Sequence, residues 1–566
     1  MLLTNNMEDD LANYRRMLLA AACLFSLLLT ACATTSQPAT GDATGGPAGQ
    51  PKRGGTFTTE YTVSTPGIDI DAHQATASAA SFGPGNVHLQ LLGEDTQARN
   101  GKIIGYLATS WDTSPDGKTW TFKVRELTTA KGKPFNAEDV EYNINRILTR
   151  PNNLPFVRSG CIRDMVQSVK ATDKSTVIFN LKEPIPAFFS CASSLYTMIM
   201  PKGMVEPIDQ PGGKRRLTVE ESDGVGPFML TRWTEGSVWE MERNPNYYKA
   251  GMPYLDKYLI VELPDAASKI AAFRTKRIDM FSHYATTPNA REAEELMKEF
   301  GDQIVVDEVI APGPVNGFQL HWKRKPLDDI RVREAIDLGY SRQAYRDIFN
   351  YGKGLPSGPY YCPWGTVFSC DELTNLPGYR ENKTQDIQRA KDLMRQAGYN
   401  PDDPRSLTLT AGCGTTSPDT CDLIKDDLAK IGINLQIARL EANVLRERVD
   451  KQEFDLSGWT RILTPSDPED YNSLHYLPDA GENRAKWENA KFMEIYAKER
   501  VELNKEARFK MVRQMGQILL DDHVLLHGPG NVLHQTWWNY VKGYVAPTDI
   551  YPHQTNYTAD YFWLDK

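Results

Sequence analysis

The chain is short of the spacings that announce chemistry. It has no Cys-x-x-Cys, no His-Glu-x-x-His, no Gly-x-Ser-x-Gly, no phosphate loop and no dinucleotide fingerprint. These absences remove the common zinc, metalloprotease, serine-hydrolase, nucleotidase and dehydrogenase classes. An enzyme needs a convergent constellation of groups, and none is legible, so neither catalysis nor a cofactor is expected. Lys and Arg (64) are outnumbered by Asp and Glu (73), for a net charge of −9. Nucleic acid, which wants a basic surface, is excluded as a partner. No internal repeat is present. His523, His527 and His534 lie close together, but the Val524-Leu525-Leu526 pattern between them reads as a strand, and no metal site is expected. The carboxylate pairs Asp328-Asp329 and Asp426-Asp427 read as helix caps and solvated faces.

What is present is ordinary globular composition: 566 residues, 40% hydrophobic and 24% charged, enough for several domains. The start is different. Arg15 and Arg16 precede an apolar run, Met17 to Leu29, which fits a signal segment and falls short of the roughly 20 residues that span a bilayer. It ends Leu29-Thr30-Ala31-Cys32, which resembles a bacterial lipobox and implies cleavage before Cys32 and lipidation of its thiol. Glu8, Asp9 and Asp10 are unusual in such a leader. Residues 1–31 are therefore expected to be a lipoprotein signal peptide. Residues 32–52, rich in Thr, Ser, Gly, Pro and Ala, form a flexible tether with too little apolar surface to fold.

Beyond Cys23 and Cys32 six cysteines remain: Cys161, Cys191, Cys362, Cys370, Cys413 and Cys421. An even number in an exported chain implies disulfides. Sequence proximity favours Cys161–Cys191, Cys362–Cys370 and Cys413–Cys421 among the possible pairings.

The most informative stretch runs from Leu107 to Val140. Pro115-Asp116-Gly117 is turn chemistry. Trp120, Phe122 and Val124 then alternate with Thr121, Lys123 and Arg125, as in a strand with one buried face. Asn136 can cap a helix, with Asp139 three residues on. Trp111 and Trp120 read as core packing. Residues 85–92 read as a helix before this stretch, and residues 170–181 as a two-strand unit. Asp328 can cap a helix carrying Val332, Ala335 and Ile336 on one face, with Arg331 and Arg333 on a solvated or salt-bridged face. Leu423 to Ile431 followed by Ile433, Leu435 and Ile437 is a helix-then-strand unit of an α/β layer.

The stretch Leu107-Ala-Thr-Ser-Trp111-Asp-Thr-Ser-Pro-Asp116-Gly117-Lys-Thr-Trp120-Thr-Phe122, followed by Gly132-Lys-Pro134-Phe135-Asn-Ala137-Glu138-Asp139-Val140, resembles the signature of the family 5 extracellular solute-binding proteins of ABC importers. Gly224-Val225-Gly226-Pro227-Phe228, Arg243-Asn244-Pro245 and Lys325-Pro326-Leu327-Asp328-Asp329-Ile330-Arg331-Val332-Arg333 resemble further motifs of that family. The resemblance implies an α/β, two-lobe periplasmic-binding-protein-like fold of class II. Lobe one would take 53–302 and 530–566, with an inserted subdomain at 83–204; lobe two would take 303–529. It also implies a peptide-like or oligosaccharide-like solute captured between the lobes. The chain would be a monomer that delivers this solute to a membrane permease driven by ATPase subunits. It would work outside the cytoplasm, lipid-anchored to the outer face of the cell membrane or in the periplasm. An exported hydrolase and a structural surface lipoprotein are the alternatives.

By family position the cleft candidates are Thr76, Ser78, Tyr361, Trp364, Thr415, Thr416 and Asn443. A last group lies after Phe454-Asp455. Peptide-binding members carry a tryptophan there and, three residues on, an aspartate for the peptide amine. Here one register puts Arg461 and Thr464 at those positions, and the other keeps Trp459 but puts Ile462 at the aspartate. Neither supplies a carboxylate. Arg461 could offer a donor fork to an anion or sugar hydroxyls, or make a structural salt bridge. Asp467 could swing in toward an amine or cap a turn before Pro468. A buried ammonium without a partner is costly, so a neutral or anionic ligand is expected.

Overall fold

The computed structural model describes residues 49–61, 69–75, 83–98, 102–154, 156, 159–213, 216–281, 287–360, 362, 367–403, 405–414, 418–461, 467–546 and 559–566. In chain order the main strands are β1 (Thr56–Tyr61), β2 (Ala108–Thr113), β3 (Thr119–Val124), β4 (Val166–Asp173), β5 (Thr176–Leu181), β6 (Phe228–Thr234), β7 (Val238–Arg243), β8 (Lys257–Glu262), β9 (Ile304–Leu320), β10 (Leu407–Gly414), β11 (Ile433–Leu440), β12 (Leu456–Arg461) and β13 (Leu525–Trp538). The helices that matter for the site are α1 (Ala137–Thr149), α2 (Ile330–Gly339), α3 (Pro418–Ala429), α4 (Ala442–Asp450), α5 (Pro468–Tyr471), α6 (Ala490–Glu499) and α7 (Lys505–Asp522).

Three sheets organise residues 51–566, which make one compact unit. The first has the order β1-β8-β7-β6, and the second, inserted in sequence between β1 and β6, the order β2-β3-β5-β4. These two share one large core, in which Phe57, Phe122, Phe179 and Trp239 are buried. The third sheet has the order β11-β10-β12-β9-β13 and carries its own cores. The result is two α/β lobes. Strands β9 and β13 belong to both. At one end they pair Ile304 with Trp538, and both residues sit in a core of the first lobe. At the other they pair Phe318 with Leu526, both in a core of the second. The register shifts between Ile310 and Val315 and again before Gly317, so the ladder is interrupted where the chain passes from one lobe to the other. Gly317 is required there: a Cβ would sit 2.1 Å from the Leu526 carbonyl oxygen.

Local chemistry explains the signature. Gly117 takes φ +70° in the β2–β3 turn, which glycine adopts without penalty, and Asp116 Oδ1 accepts from Lys118 N at 3.1 Å. Phe122 and Val124 are buried while Lys123 is exposed. Trp120 packs edge-on against Phe188 at 5.5 Å and Trp111 against Phe189 at 5.7 Å. Asn136 and Asp139 form a reciprocal capping box at the start of α1. Asp279 accepts from Thr58 N (2.7 Å), Tyr540 Oη (2.8 Å) and Lys566 Nζ (2.8 Å), tying β1 to Tyr540 and Lys566. The three disulfides pair as proximity suggests: Cys161–Cys191, Cys362–Cys370 and Cys413–Cys421.

Four expectations need correction. Residues 85–92 are not one helix: Pro84–Val87 form a single turn, and 88–91 run extended into a short strand, Leu92–Glu94. The cap of α2 is Asp329, which accepts from Arg331 N at 2.9 Å, rather than Asp328. Arg331 does pair with Asp329 at the surface. Arg333, however, is only 3% exposed; it donates to the Asp522 and Leu327 carbonyls, each at 2.8 Å, and stacks over Trp322. His523 lies outside the strand: it closes α7 in a left-handed conformation and its Nδ1 lies 2.8 Å from Asp337. Among the described residues no helix is long and apolar enough to cross a membrane.

Candidate ligand cleft

The third sheet carries the strands that lead toward several of the sequence-predicted positions. Strands β11, β10 and β12 lie side by side and run parallel, so their carboxyl ends share one edge. Ligands of open α/β sheets bind outside that edge, where backbone leaves the ladder and loops can be shaped freely. Thr415 and Thr416 follow β10 immediately, Asn443 is the second residue of α4 after β11, and Arg461 ends β12 with Thr464 beyond. One edge of one sheet thus brings together three segments widely separated in sequence. Along β12 the backbone of Trp459 pairs with Gly317 and that of Arg461 with Val315, beside the shifted part of β9. Thr76, Ser78, Tyr361, Trp364, Thr415, Thr416 and Thr464 lie outside the described residues, and for Asn443, Trp459 and Arg461 only the backbone is described. Two of the loops are stapled: Cys413–Cys421 brackets Thr415 and Thr416, and Cys362–Cys370 brackets Trp364.

Asp467 is fully described, and it is occupied. It caps α5 by accepting from Glu469 N at 2.9 Å. Its two carboxylate oxygens take Arg508 Nη1 at 2.6 Å and Nη2 at 2.5 Å, a bidentate pair of the strong, geometrically specific kind. Arg508 Nε donates to Glu499 Oε1 at 2.7 Å, and Tyr496 Oη donates to Glu469 Oε1 at 2.6 Å. Arg508 is 4% exposed, Glu469 5% and Glu499 0%. Burial pushes the Glu469 carboxyl up to about 8 and that of Glu499 up to about 7. Two acids, Asp467 and Glu499, thus share one guanidinium, while the third, Glu469, bonds to Tyr496 and is held in its neutral form at pH 7.

The first lobe has a counterpart. Asp71, in the Ile70-Asp71-Ala72-His73 turn that precedes Thr76 and Ser78, accepts from Arg146 Nη1 (2.9 Å) and Nη2 (2.6 Å). Arg146 Nε reaches both oxygens of Asp209, at 2.9 and 2.8 Å, and Tyr142 Oη donates to Asp209 at 2.9 Å. Burial opposes the Asp71 charge, but Arg146 outweighs it and holds the carboxyl down at about 2. Burial and Arg146 together push the neighbouring His73 down to about 4, so its ring is neutral.

Sequence reasoning missed both arginines. A signal existed: Arg508, Val512, Met515 and Leu519 are all buried on α7, so Arg508 sits on the helix's apolar stripe, where a lone charge demands a partner. The stripe does not say which acid that partner is.

Residues 102–483 match the bacterial extracellular solute-binding proteins, family 5 (middle). Di/tripeptide-binding protein 2 of Pseudomonas aeruginosa (strain UCBPP-PA14) is 27% identical over 489 residues, covering 82% of this chain and 84% of the relative. Periplasmic oligopeptide-binding protein OppA of Haemophilus influenzae is 22% identical over 486 residues, covering 81% and 86%. The structure of the periplasmic binding protein DppA from Helicobacter pylori, in complex with peptide STSA, superposes with a TM-score of 0.75 at 22% identity over 91% of this chain and 99% of that one. The match covers most of the chain, and the solved relative shares its fold: this protein belongs to the bacterial extracellular solute-binding proteins, family 5.

Proposed function

We propose that the chain is the solute-capturing lipoprotein of an ABC importer. It holds a peptide-like or oligosaccharide-like solute between lobe one (53–302 and 530–566, with subdomain 83–204) and lobe two (303–529). It then delivers that solute to a membrane permease with its ATPase subunits. It acts as a monomer, anchored through lipidated Cys32 on the outer face of the cell membrane or in the periplasm, and it carries out no catalysis. Relatives named for di-, tri- and oligopeptides support the general role.

The ligand carries no free amine. The observation that carries this reading is the engagement of Asp467: both its oxygens are taken by Arg508. Glu469, the next acid along, is buried, protonated and bonded to Tyr496. An ammonium placed beside the 459–467 segment would find no available carboxylate there, and desolvating it unpaired is costly. Arg461 supplies a donor fork for a carboxylate or sugar hydroxyls instead. Thr76, Ser78, Tyr361, Trp364, Thr415, Thr416, Asn443, Trp459 and Thr464 complete the proposed lining.

Mass spectrometry of natively purified protein tests both halves. The expected result is a diacylated amino terminus at Cys32 and a released ligand that is an N-blocked peptide, an oligosaccharide or an anionic conjugate. A thermal-shift series of free against N-acetylated di- to pentapeptides checks the second half independently. Micromolar binding of free peptides that vanishes on acetylation overturns the ligand class, and an unmodified Cys32 overturns the anchor.

A further inference from the structure

The two lobes touch at a place that belongs neither to β9 and β13 nor to the edge formed by β10, β11 and β12. On the first lobe it is built from the Pro115-Asp116-Gly117 turn between β2 and β3 together with Glu183 and Pro184, just past β5. On the second it is built from Arg500 and Leu503, at the corner between α6 and α7. The two methyl carbons of Leu503 lie 3.2 Å from the point a Cβ on Gly117 would occupy, and Pro184 Cβ lies 3.0 Å from that point. Beside them Arg500 Nη1 is 3.8 Å from Glu183 Oε2. Arg500 also stacks over Tyr496 at 5.6 Å, and its Nε is buried without a hydrogen bond. Leu503 is otherwise open to solvent, at 53% exposed.

We propose that Gly117, Glu183 and Pro184 on one lobe, and Arg500 and Leu503 on the other, form a clasp that holds the lobes closed. The clasp sets the resting balance between open and closed forms, and so the apparent affinity, without touching the ligand. A contact present only in the closed form shifts the population toward closure by its own free energy. The components suit a reversible clasp. A half-exposed ion pair contributes little, and one partly covered leucine adds a modest apolar term. A strong clasp would trap the solute that the importer has to release. Gly117 is then constrained twice. Its φ of +70° closes the turn, and its missing side chain leaves the seat for Leu503.

The inference rests on the proposed capture of a solute between the two lobes, taken to proceed by their closing on it, and small-angle scattering separates closure from the clasp. The purified chain is measured as isolated and again after its ligand is stripped by unfolding and refolding. Stripped wild type is expected at a radius of gyration between its as-isolated value and that of stripped Leu503→Asp, which lies further toward the open form. Glu183→Arg shifts the same way by less, and Glu183→Arg combined with Arg500→Glu moves back toward wild type. Met297→Asp, on an exposed apolar side chain of the Ala290–Phe300 helix, shifts nothing. If stripped Leu503→Asp and Glu183→Arg superimpose on stripped wild type while the wild type still compacts with ligand, the clasp is overturned and closure stands. If the wild type does not change between the two states, closure fails and the clasp with it. Should Leu503→Asp melt at a lower temperature, the Glu183 and Arg500 exchange carries the decision.

Discussion

The two anchors that flank the proposed cleft are built from the same parts and behave differently. In the first lobe Arg146 joins Asp71 and Asp209, with Tyr142 donating to Asp209. In the second Arg508 joins Asp467 and Glu499, with Tyr496 donating to a third acid, Glu469. Each sits beside a segment carrying predicted ligand residues, after one and before the other. The difference is the count of acids. In the first lobe Arg146 keeps Asp71 ionised, down at about 2. In the second the extra carboxyl cannot share the guanidinium, and burial drives Glu469 up to about 8. Buried ion pairs with surplus charge neutralise the surplus by binding protons. Burial also pushes Asp209 up, but Asp71 stays ionised across the neutral range, whereas Glu469 titrates near it.

The largest effect tests whether the anchors are equivalent. Arg146→Ala strands Asp71 and Asp209, and removing one partner of a buried pair costs about 3–5 kcal/mol. Arg508→Ala should cost less at pH 5 than at pH 8, because at the lower pH more of its acid cluster is already protonated. Urea denaturation at the two pH values reads this; identical losses at both would make the anchors alike after all.

Next is the pH slope itself. Glu469 has a folded pKa raised above its ordinary value, so the native state binds a proton that the unfolded chain releases. Stability then falls as pH rises from about 4.5 to about 8 and levels off above that. Glu469→Gln keeps the shape and the acceptor for Tyr496 while removing the ionisation. It should raise the melting temperature at pH 8, leave it unchanged at pH 4.5 and flatten the profile between. Asp71 works in the opposite sense. Its lowered pKa contributes stability that is complete above about 3.8 and is lost as pH falls toward about 2, so Asp71→Asn should be costly throughout the neutral range. A Glu469→Gln profile parallel to wild type would remove the distinction.

The smallest effect compares the two tyrosines. Tyr142→Phe and Tyr496→Phe each delete one hydroxyl donor to a buried or half-buried acid, at about 1–2 kcal/mol. The Tyr496 loss should steepen the slope between pH 6 and 8, because Glu469 then ionises with less help. The Tyr142 loss should leave that window flat. Thermal melts across the window distinguish them.

Much of this was legible in the residues. The Asp116-Gly117 turn, the Trp120–Val124 alternation and the Asn136 capping box each depend on neighbours within a few positions, and each forms as read. The helix read at 85–92 fails because its backbone is recruited by other parts of the chain: Ile199 N donates to the Leu89 carbonyl and Gly226 N to that of Val87. The pattern places Arg333 on a solvated or salt-bridged face because its helix offers a polar side, but that side is covered by Trp322 and by the end of α7. The positions proposed for the cleft came from family resemblance. The fold brings the strand ends at Gly414, Leu440 and Arg461 to one edge only because β10, β11 and β12 are parallel neighbours.

The sequence by itself determined the family motifs, the Asp116-Gly117 turn and the Asn136 cap, and it favoured the three disulfide pairs that form, because each depends on residues close in the chain or on a continuous motif. Only the tertiary structure decided that Asp467 pairs with Arg508, that Asp71 pairs with Arg146, and that Gly117 meets Leu503. Those partners are separated by 41, 75 and 386 positions. A local pattern can say that a buried charge or an exposed leucine needs a partner, but the packing of distant elements selects which one it gets.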